Sequence, residues 1–244
     1  MDTIINVDIS IVEAMSTTEL EAVTGLIFNV QHYTIHDGPG QRTTVFTKGC
    51  PLRCMWCQNP ESLHAYPEIM LIQDKCTGCG RSINVCSQNG IEIRDGHSIL
   101  ANKDVCISCG NCADRCLNEA RSLMGKAVTA KEIVDAVSRD LAFYRRSKGG
   151  VTLSGGEAML QPVFVYAVFK LCKAKGIHTA LDTSGYTKWE NLNAVLKYTD
   201  LVLFDIKHFD SDVHFNYTGV HNELILDNLK KPMKQGLQFG FEFP

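Results

Sequence analysis

Cys50-Pro51-Leu52-Arg53-Cys54-Met55-Trp56-Cys57 places three thiols in one loop at C-x3-C-x2-C spacing. Thiolates favour soft metals, and an iron–sulfur cluster normally takes four cysteines. Three in one loop can hold three irons of a cubane and leave the fourth open to a small molecule. The same logic separates catalytic from structural zinc sites. A zinc loop with a distant fourth ligand such as His64 is the other reading of these residues.

Seven more cysteines follow in two runs, Cys76-x2-Cys79-x2-Ser82-x3-Cys86 and Cys106-x2-Cys109-x2-Cys112-x3-Cys116. The second run has the bacterial ferredoxin spacing, in which the fourth cysteine crosses to the other cluster. That rule assigns Cys106, Cys109, Cys112 and Cys86 to one complete [4Fe-4S] cluster. Cys76, Cys79 and Cys116 then hold a second, with Ser82 where its third cysteine belongs. A serine oxygen is a harder and poorer iron ligand, so the second cluster is expected to be labile, altered or of three irons. Two zinc knuckles are the alternative. Extra clusters suit an electron relay toward the first, with a purely structural role as the alternative. Cys172, among Val168 and Leu171, reads as a buried core thiol.

These ligands need elements to hold them. Thr43–Thr47 reads as a strand running into Cys50. Val151–Leu153, Thr179–Leu181 and Leu201–Phe204 read as strands that end beside Glu157, Asp182 and Asp205. A capping box at Thr129–Glu132 opens a helical stripe of Ile133, Val134, Val137, Leu141 and Tyr144. A helix over Gln161–Lys175 stops at Gly176. Strands alternating with helices predict an α/β parallel architecture, whose chemistry gathers at the strands' C-terminal ends. The expected organisation is an N-terminal extension without a readable motif (1–24), a first part of the main domain (25–73), a cysteine-rich insert (74–116) and the remainder (117–244). The chain has 244 residues, 45% of them hydrophobic, with a net charge of −3, which excludes a disordered chain and gives no pull toward nucleic acid. No apolar run is long enough to span a membrane, and the start lacks the pattern of a secretory signal. A cytoplasmic protein is expected.

Asp37-Gly38-Pro39-Gly40-Gln41-Arg42, the three-cysteine loop, Ser154-Gly155-Gly156-Glu157, Asp182-Thr183-Ser184-Gly185, Asp205-Ile206-Lys207 and Tyr217-Thr218-Gly219-Val220 occur in this order. Together they resemble the radical S-adenosylmethionine superfamily, in its branch of glycyl-radical-enzyme activating enzymes (pyruvate formate-lyase activating enzyme-like). The resemblance implies a (β/α)6 barrel with a ferredoxin-like 2[4Fe-4S] insert. It implies that Cys50, Cys54 and Cys57 carry a [4Fe-4S] cluster that chelates S-adenosylmethionine and cleaves it reductively. The resulting 5′-deoxyadenosyl radical would take hydrogen from a glycine of a partner enzyme. Trp56 and Gln58 would lie at the ligand, and Gly155, Gly156 and Glu157 at its methionyl amine. Asp182, Thr183 and Asp205 would hold a monovalent cation, with Ile206, Lys207 and His208 also at the ligand. Asp37 would meet the partner's glycine loop, and a flavodoxin or ferredoxin-type reductant would supply electrons. His214 is expected on a helix surface.

Five strands can be counted where six are implied, the last being the alternating stretch Leu237–Phe243, so the final barrel strand is expected to be missing. Glu242 stands near where related activators carry a fifth-strand arginine. An electron-transfer protein, or an inactive short homologue using only the insert, is therefore the alternative function.

Overall fold

A computed structural model describes residues 9–233 and 238–242. The chain forms two compact units, one of residues up to Tyr66 together with those from Ala127, the other Pro67–Lys126.

The described part of the segment before Gly25 is structured rather than a bare lead-in. It carries α1 (Ile9–Val12) and α2 (Thr17–Ala22), and α2 opens with a capping box between Ser16 and Glu19. Ser16-Thr-Thr-Glu19 was visible in the sequence as that signal. Val12 and Leu20 bury into the main core. Next come β1 (Thr24–Thr34), which the sequence reading missed, and β2 (Arg42–Thr47), which enters the cysteine loop.

The smaller unit holds β3 (Glu68–Leu71), α3 (Arg81–Asn84), β4 (Ile91–Arg94), β5 (His97–Leu100), α4 (Asn111–Asp114) and β6 (Arg121–Met124). β3 pairs antiparallel with β6, and β4 with β5. The β3–β6 ladder closes the unit, which is why its limits lie outside 74–116.

From β7 (Lys126–Thr129) the chain returns to the larger unit with α5 (Ala130–Ser138), α6 (Leu141–Ser147), β8 (Gly150–Gly155), α7 (Pro162–Ala174), β9 (His178–Thr183), α8 (Trp189–Leu196), β10 (Leu201–Asp205), α9 (Ser211–Thr218), α10 (Glu223–Met233) and β11 (Gln238–Glu242). The expected single stripe from Ile133 to Tyr144 is split between α5 and α6 at Arg139–Asp140, where Asp140 turns inward to bond Thr43. Of the expected strand Leu237–Phe243, Leu237 and Phe243 lie outside the described residues.

One seven-stranded sheet runs in the order β11-β10-β9-β8-β2-β1-β7. Strands β2, β8, β9, β10 and β11 are mutually parallel, whereas β1 is antiparallel to β2. Side chains alternate across a strand. Val151, Leu153, Leu181, Val202 and Phe204 therefore face one way and bury against Val165, Val168 and Cys172 of α7. Cys172 is fully buried, as its neighbours led one to expect. The alternate positions Ser154, Asp182 and Asp205 face the other way, at the C-terminal ends of β8, β9 and β10, and line one cavity.

The Thr129–Glu132 capping box fixes the start of α5, whose Ile133, Val134 and Val137 are core residues. Thr129→Ala should lower the stability of the protein by about 1 kcal/mol, read as a lower urea midpoint with the slope unchanged.

Candidate functional site

The cysteine loop is held at both ends by backbone. On its way in, Gly49 N–H donates to Ser62 O (2.6 Å) and Cys50 N–H to Leu63 O (3.2 Å). At its far side Arg53 N–H donates to Thr218 O (2.7 Å) and Met55 N–H to Tyr217 O (3.1 Å). The Tyr217-Thr218-Gly219-Val220 segment is thus a backbone clamp on the loop. Trp56 packs against Tyr217 with ring centroids 5.5 Å apart.

His214 stabilises that clamp and is a buried residue, against the expectation of a surface position. It is 1% exposed, and its Nδ1 lies 2.6 Å from Val220 O and 2.9 Å from Thr218 Oγ1. The i, i+4 spacing to Thr218 on α9 turns its ring inward.

The glycines of Ser154-Gly155-Gly156-Glu157 are there for a close backbone approach. Gly155 has φ +123°, and a Cβ on it would sit 2.3 Å from Thr47 N and O. One on Gly156 would sit 2.4 Å from Gly49 O. Gly156 N–H donates to Thr47 O (3.0 Å) and Glu157 N–H to Gly49 O (2.9 Å). The end of β8 is thereby fastened to the residues that deliver Cys50.

Glu157 lies behind the wall rather than facing the cavity, so its carboxylate is not presented to an amine there. It is 2% exposed. One oxygen accepts from Thr183 Oγ1 (2.6 Å) and Met159 N–H (2.9 Å), the other from Ser184 Oγ (2.6 Å) and Ser184 N–H (2.9 Å). Burial pushes its pKa up while these donors oppose the rise. The carboxylate is a strut between the ends of β8 and β9.

Cys50, Cys54 and Cys57 are free, half-buried thiols on the wall of a cavity of about 1320 Å³, with Trp56, Gln58, Gly155, Gly156, Asp182, Thr183, Asp205, Lys207 and His208. Asp37 lines the same cavity; its carboxylate accepts from Thr44 Oγ1 (2.6 Å) and its carbonyl from Thr152 Oγ1 (2.8 Å). Ile206 does not: it is 3% exposed and packs into the core. Asp182 accepts from Ser154 Oγ (2.5 Å), and Asp205 is ion-paired with Lys207.

The Cys50 thiol is pushed up to about 12 by burial, with Glu157 adding to the rise. Among the described residues no three cysteine, histidine or acidic side chains are already drawn onto one point. Three thiols in one loop, on one wall, with space beyond them, suit a cluster with an open iron. In the smaller unit, Cys86, Cys106, Cys109 and Cys112 line one cavity, and Cys76, Cys79, Cys116 and Ser82 another.

Two features escaped the sequence reading. Arg42, noted only as part of a motif, is fully buried and donates through Nε to Thr152 Oγ1 (2.6 Å), through Nη2 to Val151 O (2.6 Å) and through Nη1 to Pro39 O (3.2 Å). It ties the Asp37–Gly40 turn to β8. His32 lines the cavity, with Nδ1 2.5 Å from the carboxylate of buried Asp140, which also accepts from Thr43 Oγ1 (2.6 Å). Residues 108 apart in sequence carried no signal of that pairing.

Both Glu157 oxygens meet a backbone N–H, so an amide in its place must set its NH2 against one of them. Glu157→Gln should cost about 1–3 kcal/mol, measured as a lower midpoint of thermal unfolding.

The description "Radical SAM superfamily" fits residues 44–240. The chain is 42% identical over 220 residues to the isethionate sulfite-lyase activating enzyme of Oleidesulfovibrio alaskensis, covering 88% of this chain and 71% of the relative. It is 43% identical over 211 residues to the (2S)-3-sulfopropanediol dehydratase activating enzyme of Klebsiella oxytoca, covering 85% and 67%. Over 220 residues it is 43% identical to the trans-4-hydroxy-L-proline dehydratase activating enzyme of Clostridioides difficile, covering 90% and 72%. No helix among the described residues is long and apolar enough to cross a membrane. With three thiols, a glycine turn and strand-end polar groups around one cavity, and these relatives matched over most of its length, the chain belongs to the radical SAM superfamily, among its glycyl-radical-enzyme activating enzymes.

Proposed function

We propose that the chain installs a radical on a backbone glycine of a partner enzyme, with Cys50, Cys54 and Cys57 holding a [4Fe-4S] cluster whose open iron takes S-adenosylmethionine. The observation that carries this is the single cavity shared by the three thiols, Gly155, Gly156 and the ends of β8, β9 and β10. The cluster, when bound, supplies the electron that cleaves the sulfonium to methionine and a 5′-deoxyadenosyl radical, which removes the glycine hydrogen.

The chain's own residues bind, orient and exclude. Gly155 and Gly156 offer backbone groups to the methionyl amine, and Glu157 keeps that turn in place from behind. Trp56 covers the adenine side and Gln58 lies beside it. Lys207 meets the ligand's carboxylate or ribose, with His208 at the same wall. Asp182, Thr183 and Asp205 offer hard oxygens to a monovalent cation, which would compete with Lys207 for Asp205. Asp37, fixed by Thr44 and Thr152, faces the incoming glycine loop. Ile206 contributes through its place in the core. Filling the cavity expels water, which protects a radical from stray hydrogen donors.

The smaller unit is read as a ferredoxin-like insert with two clusters that feed electrons to the first, received from a flavodoxin or ferredoxin-type reductant. The five parallel strands are read as five of the six units of a radical SAM barrel.

Anaerobic reconstitution, reduction and addition of S-adenosylmethionine should yield 5′-deoxyadenosine, and Cys54→Ala should abolish it while the protein stays folded by circular dichroism. A brown, reducible protein that makes none would instead be an electron carrier, and a colourless zinc protein would defeat both readings.

A further inference from the structure

The two cavities of the smaller unit differ in kind. The one walled by Cys86, Cys106, Cys109 and Cys112 is about 20 Å³, and no charged residue lines it. The one walled by Cys76, Cys79, Cys116 and Ser82 is about 350 Å³. Four cations line it as well, Lys75, Arg81, Arg115 and Arg121, and no carboxylate does.

Arg121 is the most constrained of these. It is 4% exposed, yet among the described residues no carboxylate forms an ion pair with it. Its Nη2 donates to Ser98 O (2.8 Å) and Ser98 Oγ (3.0 Å), while its Nε is buried without a partner. A buried guanidinium with no counter-charge is costly, so the site calls for an anion. Two backbone amides already point at the sulfurs: Ser98 N–H at Cys76 Sγ and Ala120 N–H at Cys116 Sγ, each 3.2 Å. Such hydrogen bonds stabilise thiolates that carry a cluster.

Ser82 is ill placed to complete the set. Its Oγ lies 2.6 Å from Ser98 Oγ, which in turn accepts from Arg121. To ligate iron it would have to leave that chain and lose a hydroxyl proton held far more tightly than a thiol proton. Its C–O bond is also shorter than the C–S bond of a cysteine.

We propose that this cavity takes a three-iron [3Fe-4S] cluster on Cys76, Cys79 and Cys116, with Ser82 hydrogen-bonded beside the empty corner and Arg121 as the buried counter-charge. The proposal rests on the reading of the smaller unit as cluster-bearing. Three cysteinates on an iron–sulfide core bring the negative charge that the four cations lack. The neighbouring all-cysteine site keeps four irons.

The test uses the full chain with Cys50→Ala, Cys54→Ala and Cys57→Ala, so that only the smaller unit binds iron, reconstituted without oxygen. Expected are about seven irons per chain and, in the oxidised protein, a half-spin paramagnetic resonance near one spin per chain. Ser82→Ala on this background should change neither. Ser82→Cys should silence the oxidised resonance and add one iron. Arg121→Met should move the midpoint potential of the resonance to more negative values, because a positive charge favours the reduced cluster; an unmoved potential would remove Arg121 from the proposal. About eight irons with no oxidised resonance, or loss of the resonance in Ser82→Ala, would overturn it. So would about four irons without the resonance, which leaves only the all-cysteine site filled. Iron near zero would instead defeat the cluster reading of the unit itself.

Discussion

The contact between the end of β8 and the residues leading into the cysteine loop governs the larger unit. Thr47 O and Gly49 O accept from Gly156 and Glu157 N–H, at a separation that leaves no room for a Cβ on either glycine. Cys50 is set by that contact from one side. The clamp from Tyr217 and Thr218 sets the loop from the other, and buried His214 sets the clamp. A ligand that must touch the thiols and the glycine turn at once therefore meets partners whose spacing is fixed by backbone hydrogen bonds, before any side chain adjusts.

Behind this wall the polar groups are arranged as struts. Glu157 gathers four donors from the β8–β9 ends, and Arg42 gathers acceptors from the Asp37 turn and β8. Both are costly to bury and both are satisfied, which rigidifies the parts they join. Burial also disfavours the Cys50 thiolate.

The smaller unit obeys a different economy of charge. One cavity is apolar and closed by four cysteines, the other basic, roomier and short of one thiol. Burial pushes the Cys112 thiol up, and the charge and hydrogen bond of Arg121 pull against it. Arg121 therefore acts on Cys112 in the wall of the all-cysteine cavity as well as lining the basic one, and a single buried cation bears on both.

Cysteine spacing, the glycine turn and the alternation of strands and helices were legible because each is local: a loop, a turn and a period of two or 3.6 are written in consecutive residues. They determined the parallel α/β class, the radical SAM motifs and the split of the cysteines into three groups. The second N-terminal helix, α2, was legible in principle through Ser16 and Glu19. Contacts distant in sequence were not. The His32–Asp140 pair, the inward turn of His214, the retreat of Glu157 behind the wall, the burial of Ile206 and the cations around Ser82 depend on which side of an element faces which neighbour. Tertiary packing alone decides that, because the same side chain at the same spacing points to solvent, core or cavity according to what lies opposite.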